Sequence, residues 1–104
     1  MTRFALCATI VTALAQPVVA DDKADIQAGA DLAKRWCVTC HVVGPDVAGG
    51  DAGPSFESVA QRPGVSQQNI KVWLADPHPP MDNLNLTAED TRVLTRYIFS
   101  LGDN

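Results

Sequence analysis

The six residues Trp36-Cys37-Val38-Thr39-Cys40-His41 constrain this chain more than any other stretch. Two thiols three positions apart, with an imidazole directly after the second, can form a redox dithiol, part of a zinc site, or the covalent attachment point of a haem. Each demands a different fold around it. Zinc needs four ligands, and Cys37, Cys40, His41 and His78 make a set on paper. Yet Cys40 and His41 are adjacent, which suits one tetrahedral ion poorly, and no second close pair exists. A redox dithiol opens a helix that follows a strand in an α/β pattern, and the chain shows no alternating strand pattern of useful length. A disulfide across a two-residue gap closes too small a loop to stabilise much. For a haem, the spacing presents both sulfurs to the two vinyl groups on one edge, and His41 falls beneath the iron as proximal ligand. The residues favour this third reading: one covalent haem c, held by Cys37 and Cys40.

The N-terminal segment supports it. Arg3 supplies a positive start, residues 4–15 form an apolar run of secretory length, Pro17 breaks it, and Val18-Val19-Ala20 has the small-residue pattern of a cleavage site. The run is too short to span a bilayer comfortably, and most of it follows Cys7 instead of preceding it, unlike a lipoprotein signal. Residues 1–20 are therefore expected to be a cleavable signal peptide, and residues 21–104 a single monohaem domain in the periplasm. Cleavage removes Cys7 and leaves Cys37 and Cys40 as the only cysteines. A domain of 84 residues is small for a self-sufficient apolar core, so a cofactor that staples it is what the length calls for. Residues 21–104 carry seven Lys and Arg against twelve Asp and Glu, a formal charge of −5. That balance argues against nucleic acid and suits a protein meeting basic docking surfaces.

The remaining patterns are helical or loop-like. Ile26, Ala30, Leu32, Ala33 and Trp36 fall near helical spacing over 25–36, with Lys34 and Arg35 in the last turn, where they favour the helix dipole. Residues 42–53 are glycine-rich loop; without a following Gly-Lys-Ser/Thr they do not make a phosphate loop. Ser66 can cap a helix over 67–75 that places Ile70, Trp73 and Leu74 on one face. Pro77, Pro79 and Pro80 impose an irregular, stiffened loop on 76–85. Thr87 caps a last helix, with Val93, Leu94, Tyr97, Ile98 and Leu101 facing the core until Gly102 ends it. The fold class expected is all-α, with three to four helices and loops around one haem.

On these residues the chain resembles the small class I cytochromes c of bacteria over nearly all of residues 21–104. The resemblance implies that Gly29, eight residues before Cys37, lets the first and last helices cross closely, with Tyr97 presented to that crossing. The family often has phenylalanine at the position of Ala33, so Trp36 or Leu32 is expected to fill that space here. Gly53-Pro54-Ser55-Phe56 is similar to a segment whose proline carbonyl accepts a hydrogen bond from the ligand histidine, fixing the ring and raising its basicity. Met81, the only methionine after Met1, sits where the family carries its distal ligand, although Asp82 follows it in place of the usual proline. A core gap-filler is the commoner fate of methionine, but a proline-stiffened loop suits that role poorly. His78 is the rival ligand, its plain alternative being an exposed loop histidine.

Trp73 is expected to donate to a haem propionate or to pack in the core, and Arg62 to neutralise a propionate or to stay solvated. Phe56, Val59, Ile70, Leu74, Leu84, Leu86 and Ile98 are expected to wall the haem. With His41 and Met81 both bound, no open iron position remains. The expected function is then one-electron transfer between redox donor and acceptor proteins, by a monomer or small subunit without a membrane span. A five-coordinate haem enzyme or gas sensor, peroxidase-like, is the alternative.

Overall fold

The computed structural model describes residues 8–15, 22–76 and 79–102. Among them are four helices and no strand: α1 (Asp22–Trp36), α2 (Phe56–Ala60), α3 (Gln67–Ala75) and α4 (Ala88–Ser100). The all-α expectation holds. No helix among the described residues is long and apolar enough to cross a membrane. Cys7, the Ala20 junction and His78 lie outside the described residues.

The fold is organised on the packing of α1 against α4. Gly29 sets how closely they approach, because a Cβ there would lie 2.6 Å from Tyr97 Cβ and nearer still to the Val93 carbonyl oxygen. Ala30, Leu32 and Ala33 complete the buried face of α1, and Ala33 has no exposed surface at all. Of the two residues expected to fill the space beside Ala33, Leu32 is buried but Trp36 is not. It is 45% exposed, with the Arg35 guanidinium 5.9 Å from its ring. With the backbones held this close at Gly29, the small Ala33 suffices, and Trp36 ends the helix beyond the crossing.

α1 also begins three residues earlier than its apolar spacing indicates. Asp22 pairs with Arg96, and Asp25 with Arg92 at 2.5 Å, so the first turn is bound to α4 by charge and not by an apolar stripe. Asp22 and Asp25 also sit favourably at the positive end of the helix dipole.

α4 buries Val93, Leu94, Tyr97 and Ile98 as its spacing requires, along with Thr91 and Thr95. A reciprocal cap starts it, with the Asp90 N–H donating to Thr87 Oγ1 and the Thr87 N–H donating to the Asp90 carboxylate, each at 3.0 Å. α3 has the expected bounds and a similar box, closed by Ser66 and Asn69. Only Ile70 of α3 is fully buried. It and Leu94 are each 1% exposed, a burial worth about 2 kcal/mol apiece. Trp73 does not join Ile70 in the core, being 37% exposed.

The short α2 has no counterpart among the expected elements. Ser55 caps it by accepting from the Ser58 N–H at 3.1 Å, and Phe56 and Ala60, four apart, are its buried residues. Five residues are too few for a periodic stripe to stand out, and packing on α4 supplies what propensity cannot. Connecting loops contain Gly64 at φ +73°, which glycine accommodates without strain, and Asn85 at φ 52°. The Asn85 N–H donates to Asn83 Oδ1 at 2.9 Å.

Arg92 grips Asp25 with two hydrogen bonds, at 2.5 and 2.9 Å. These bonds hold the Asp25 carboxyl below the usual carboxylate range, against the opposing effect of partial burial and with help from the charges of Arg92 and Arg96. A lowered folded-state value means that the pair's stabilisation is complete above about pH 4, the ordinary carboxylate value, and is lost as the pH falls through the lowered one. Asp25→Asn is expected to lower the Tm most near neutral pH. The gap from the unaltered protein should close below about pH 4 in thermal melts, and a gap independent of pH would refute the assignment.

Candidate functional site

The helical hydrogen bonding of α1 runs on into the thiol segment, with the Cys37 N–H donating to the Ala33 carbonyl at 2.9 Å. The chain then turns tightly. The N–H groups of Cys40 and His41 both donate to the Cys37 carbonyl, at 3.2 and 2.9 Å. This turn buries Cys37 and leaves Cys40 exposed. Burial, reinforced by the neighbouring Cys40, pushes the Cys37 thiol up to about 11. A redox dithiol needs the opposite, a thiolate favoured by a helix N-terminus; these thiols follow a helix C-terminus, whose dipole disfavours a thiolate. The zinc reading gains no geometry either, since no three His, Cys, Asp or Glu side chains converge among the described residues.

His41 is held from several sides. Its Nδ1 lies 2.7 Å from the Pro54 carbonyl oxygen. A carbonyl only accepts, so Nδ1 is the donor, and in the neutral ring the lone pair is on Nε2. The Phe56 ring lies 5.2 Å away, tilted by 45°. On the remaining side is Gly53, where a Cβ would come within 2.8 Å of Nδ1 and 3.0 Å of Nε2, with Cε1 closer still. Two backbone bonds bring the 53–56 segment here: the Gly53 N–H to the Cys40 carbonyl at 2.8 Å and the Phe56 N–H to the Val42 carbonyl at 2.9 Å. The glycine-rich loop, legible in the sequence only as loop, thus folds back on the thiol segment; the Gly50 N–H donates to the Val38 carbonyl at 2.8 Å.

Of the other expected residues, two form a pair and the rest stand singly. The Arg62 guanidinium lies over the Trp73 ring, 5.3 Å from its centroid. Met81 is half-buried in the loop between α3 and α4. Of the residues expected to wall a haem, Phe56, Ile70 and Ile98 are buried, and Val59, Leu74 and Leu86 are partly so. Leu84 is 39% exposed. A contact with no sequence signal is Tyr97 Oη donating to the Val43 carbonyl at 2.5 Å. The resemblance implies that the phenol lies at the helix crossing, but its partner is 54 positions away.

The donor set fits a covalently held haem. Two thiols, one exposed, precede an imidazole whose Nδ1 is already bonded and whose Nε2 is free to ligate, the arrangement that second-shell bonding to a metal-bound histidine requires. No family model matches the chain. No solved structure matches it either. It is 49% identical over 80 residues to cytochrome c-552 of Bradyrhizobium diazoefficiens, an alignment covering 75% of this chain and 76% of that protein. The chain belongs to the c-type cytochromes. It has the all-α cytochrome c fold, its cofactor is covalently bound haem c with its iron, and it is an electron-transfer protein, not an enzyme.

Gly53→Ala is expected to push the His41 ring off the Pro54 carbonyl and to cost about 1–3 kcal/mol, as overpacking against a held side chain does. Chemical denaturation measures the loss, and the bonded Nδ1–H proton resonance should disappear with it. Full retention of both would refute the packing at Gly53.

Proposed function

We propose that the chain is an exported one-electron carrier whose haem is bound by Cys37 and Cys40 through thioethers, by His41 through Nε2 and by Met81 through its thioether sulfur. The observation that carries this reading is the His41–Pro54 bond, which leaves one imidazole nitrogen free directly after the second cysteine. Haem c supplies the one-electron couple of its iron. Everything else falls to the chain. Pro54, Gly53 and Phe56 hold the His41 ring in one orientation, so little rearrangement accompanies a change of oxidation state. Burial of Phe56, Ile70 and Ile98 excludes water, which helps set the potential. Arg62 and Trp73, already paired, are the groups assigned to the haem propionates.

Met81 would supply the second iron ligand, because its loop is stiffened by proline and it is the only thioether after Met1. In the ferric protein a weak far-red band from sulfur-to-iron charge transfer is expected, and the reduced protein should not bind carbon monoxide at neutral pH. Met81→Ala should abolish the band, admit carbon monoxide and lower the potential by on the order of a tenth of a volt or more. An unchanged spectrum and potential in that variant would remove Met81 from the iron and turn attention to His78.

Residues 8–15 take no part in the core, and Ile10, Val11 and Leu14 are each 87% exposed, an apolar run that the domain does not use. This supports residues 1–20 as a signal peptide and a periplasmic location for residues 21–104. The net charge of −5 over those residues favours basic docking surfaces on donor and acceptor, an attraction that salt screens. The intact mass of the exported protein should equal residues 21–104 plus one haem. A mass that retains Cys7 would contradict the cleavage.

A further inference from the structure

We infer that the Tyr97 hydroxyl is a positioning group for His41, acting through the strip 42–44; this rests on His41 being the iron ligand. The strip is the continuation of the ligand's own backbone, and it is gripped on two sides. Two of its carbonyls are taken up by donors from two different elements. Here the Val42 carbonyl accepts from the Phe56 N–H at 2.9 Å, and the Val43 carbonyl accepts from Tyr97 Oη at 2.5 Å. Val43 has no exposed surface, and Tyr97 is its carbonyl's only donor among the described residues. Removing the hydroxyl leaves a buried acceptor unpaired, which is costly where water cannot replace the donor. Burial also pushes the Tyr97 phenol up, so it stays a donor through neutral pH.

The consequence reaches the imidazole by a short path. Val42 is bonded to Phe56, and Phe56 belongs to the same 53–56 segment that supplies the Pro54 carbonyl to His41 Nδ1. A shift of the strip toward a new donor would pull that segment and loosen the His41–Pro54 bond. The neighbouring Gly44 belongs to the same device, since a Cβ there would lie 2.7 Å from Tyr97 Oη. Tyr97 thereby couples α4, and through it the α1–α4 crossing, to the orientation of the proximal ring.

Two variants of the holoprotein test this independently. Tyr97→Phe removes the donor and keeps the ring; Gly44→Ala keeps the donor but drives it from the carbonyl. In each, the reduced protein's His41 Nδ1–H is expected to exchange with solvent about tenfold faster, the loss of roughly one hydrogen bond, while the Leu94 amide in the core of α4 accelerates less. The reduction potential should rise, because an imidazole less firmly bonded to Pro54 is a weaker base and stabilises the oxidised iron less. A merely structural hydroxyl would accelerate both protons equally and leave the potential where it was, and that result overturns the inference. If one variant fails to take up haem, the other carries the test. Absence of a bonded Nδ1–H resonance in the unaltered holoprotein would overturn the ligand reading itself, and this inference with it. Its presence with unmoved variants overturns the inference alone.

Discussion

The close crossing of α1 and α4 is the constraint from which the rest of this structure follows. A helix pair can meet at backbone distance only where one side chain is missing, and Gly29 provides that place opposite Val93 and Tyr97. Once the two helices are locked there, the direction of α1 delivers Cys37, Cys40 and His41 to a fixed position. The same crossing orients α4 so that Tyr97 faces the strip beyond His41 and Ile98 faces the core. The crossing is secured by packing at Gly29 and Ala33 and by the Asp22–Arg96 and Asp25–Arg92 pairs at the first turn. Charge acts here at the rim of an apolar contact, where it sets register more than it adds stability.

The site is a folded-back loop closed by backbone hydrogen bonds around the buried Cys37, Val43 and Phe56. The 53–56 segment is bonded to Cys40 and Val42, and the result is an imidazole enclosed by Gly53, Pro54 and Phe56. Such a construction suits a protein whose work is to hold a haem with little movement between oxidation states. It also explains why so small a chain can build a defined site. The long loops are ordered by a few bonds at their closing points and, in the assembled cytochrome, by the covalent haem.

Much of this was legible in advance where the physics is local. The caps at Ser66 and Thr87 announced α3 and α4, because a short polar side chain three residues before another satisfies orphan N–H groups wherever it occurs. The stripe on α4 was readable for the same reason. Trp36 was misplaced because helical spacing gives a face but not the depth of the neighbour: with Gly29 opposite backbone, the crossing closes before an indole could enter. α2 was missed because five residues give no period, and the start of α1 because its first turn is held by partners about seventy positions away.

What the sequence determined by itself was chemistry that depends on neighbouring residues: the spacing of Cys37 and Cys40, the adjacency of His41, the acidic balance and the helical repeats. Those features were enough to point to a covalent haem and an all-α chain. The His41–Pro54 bond was implied by the family resemblance, and the tertiary structure identified Nδ1 as its atom; only the tertiary structure decided which donor completes Val43, since Tyr97 comes fifty-four residues on. Long-range partners are chosen by how the helices pack, and packing depends on the shapes of surfaces that no linear pattern records.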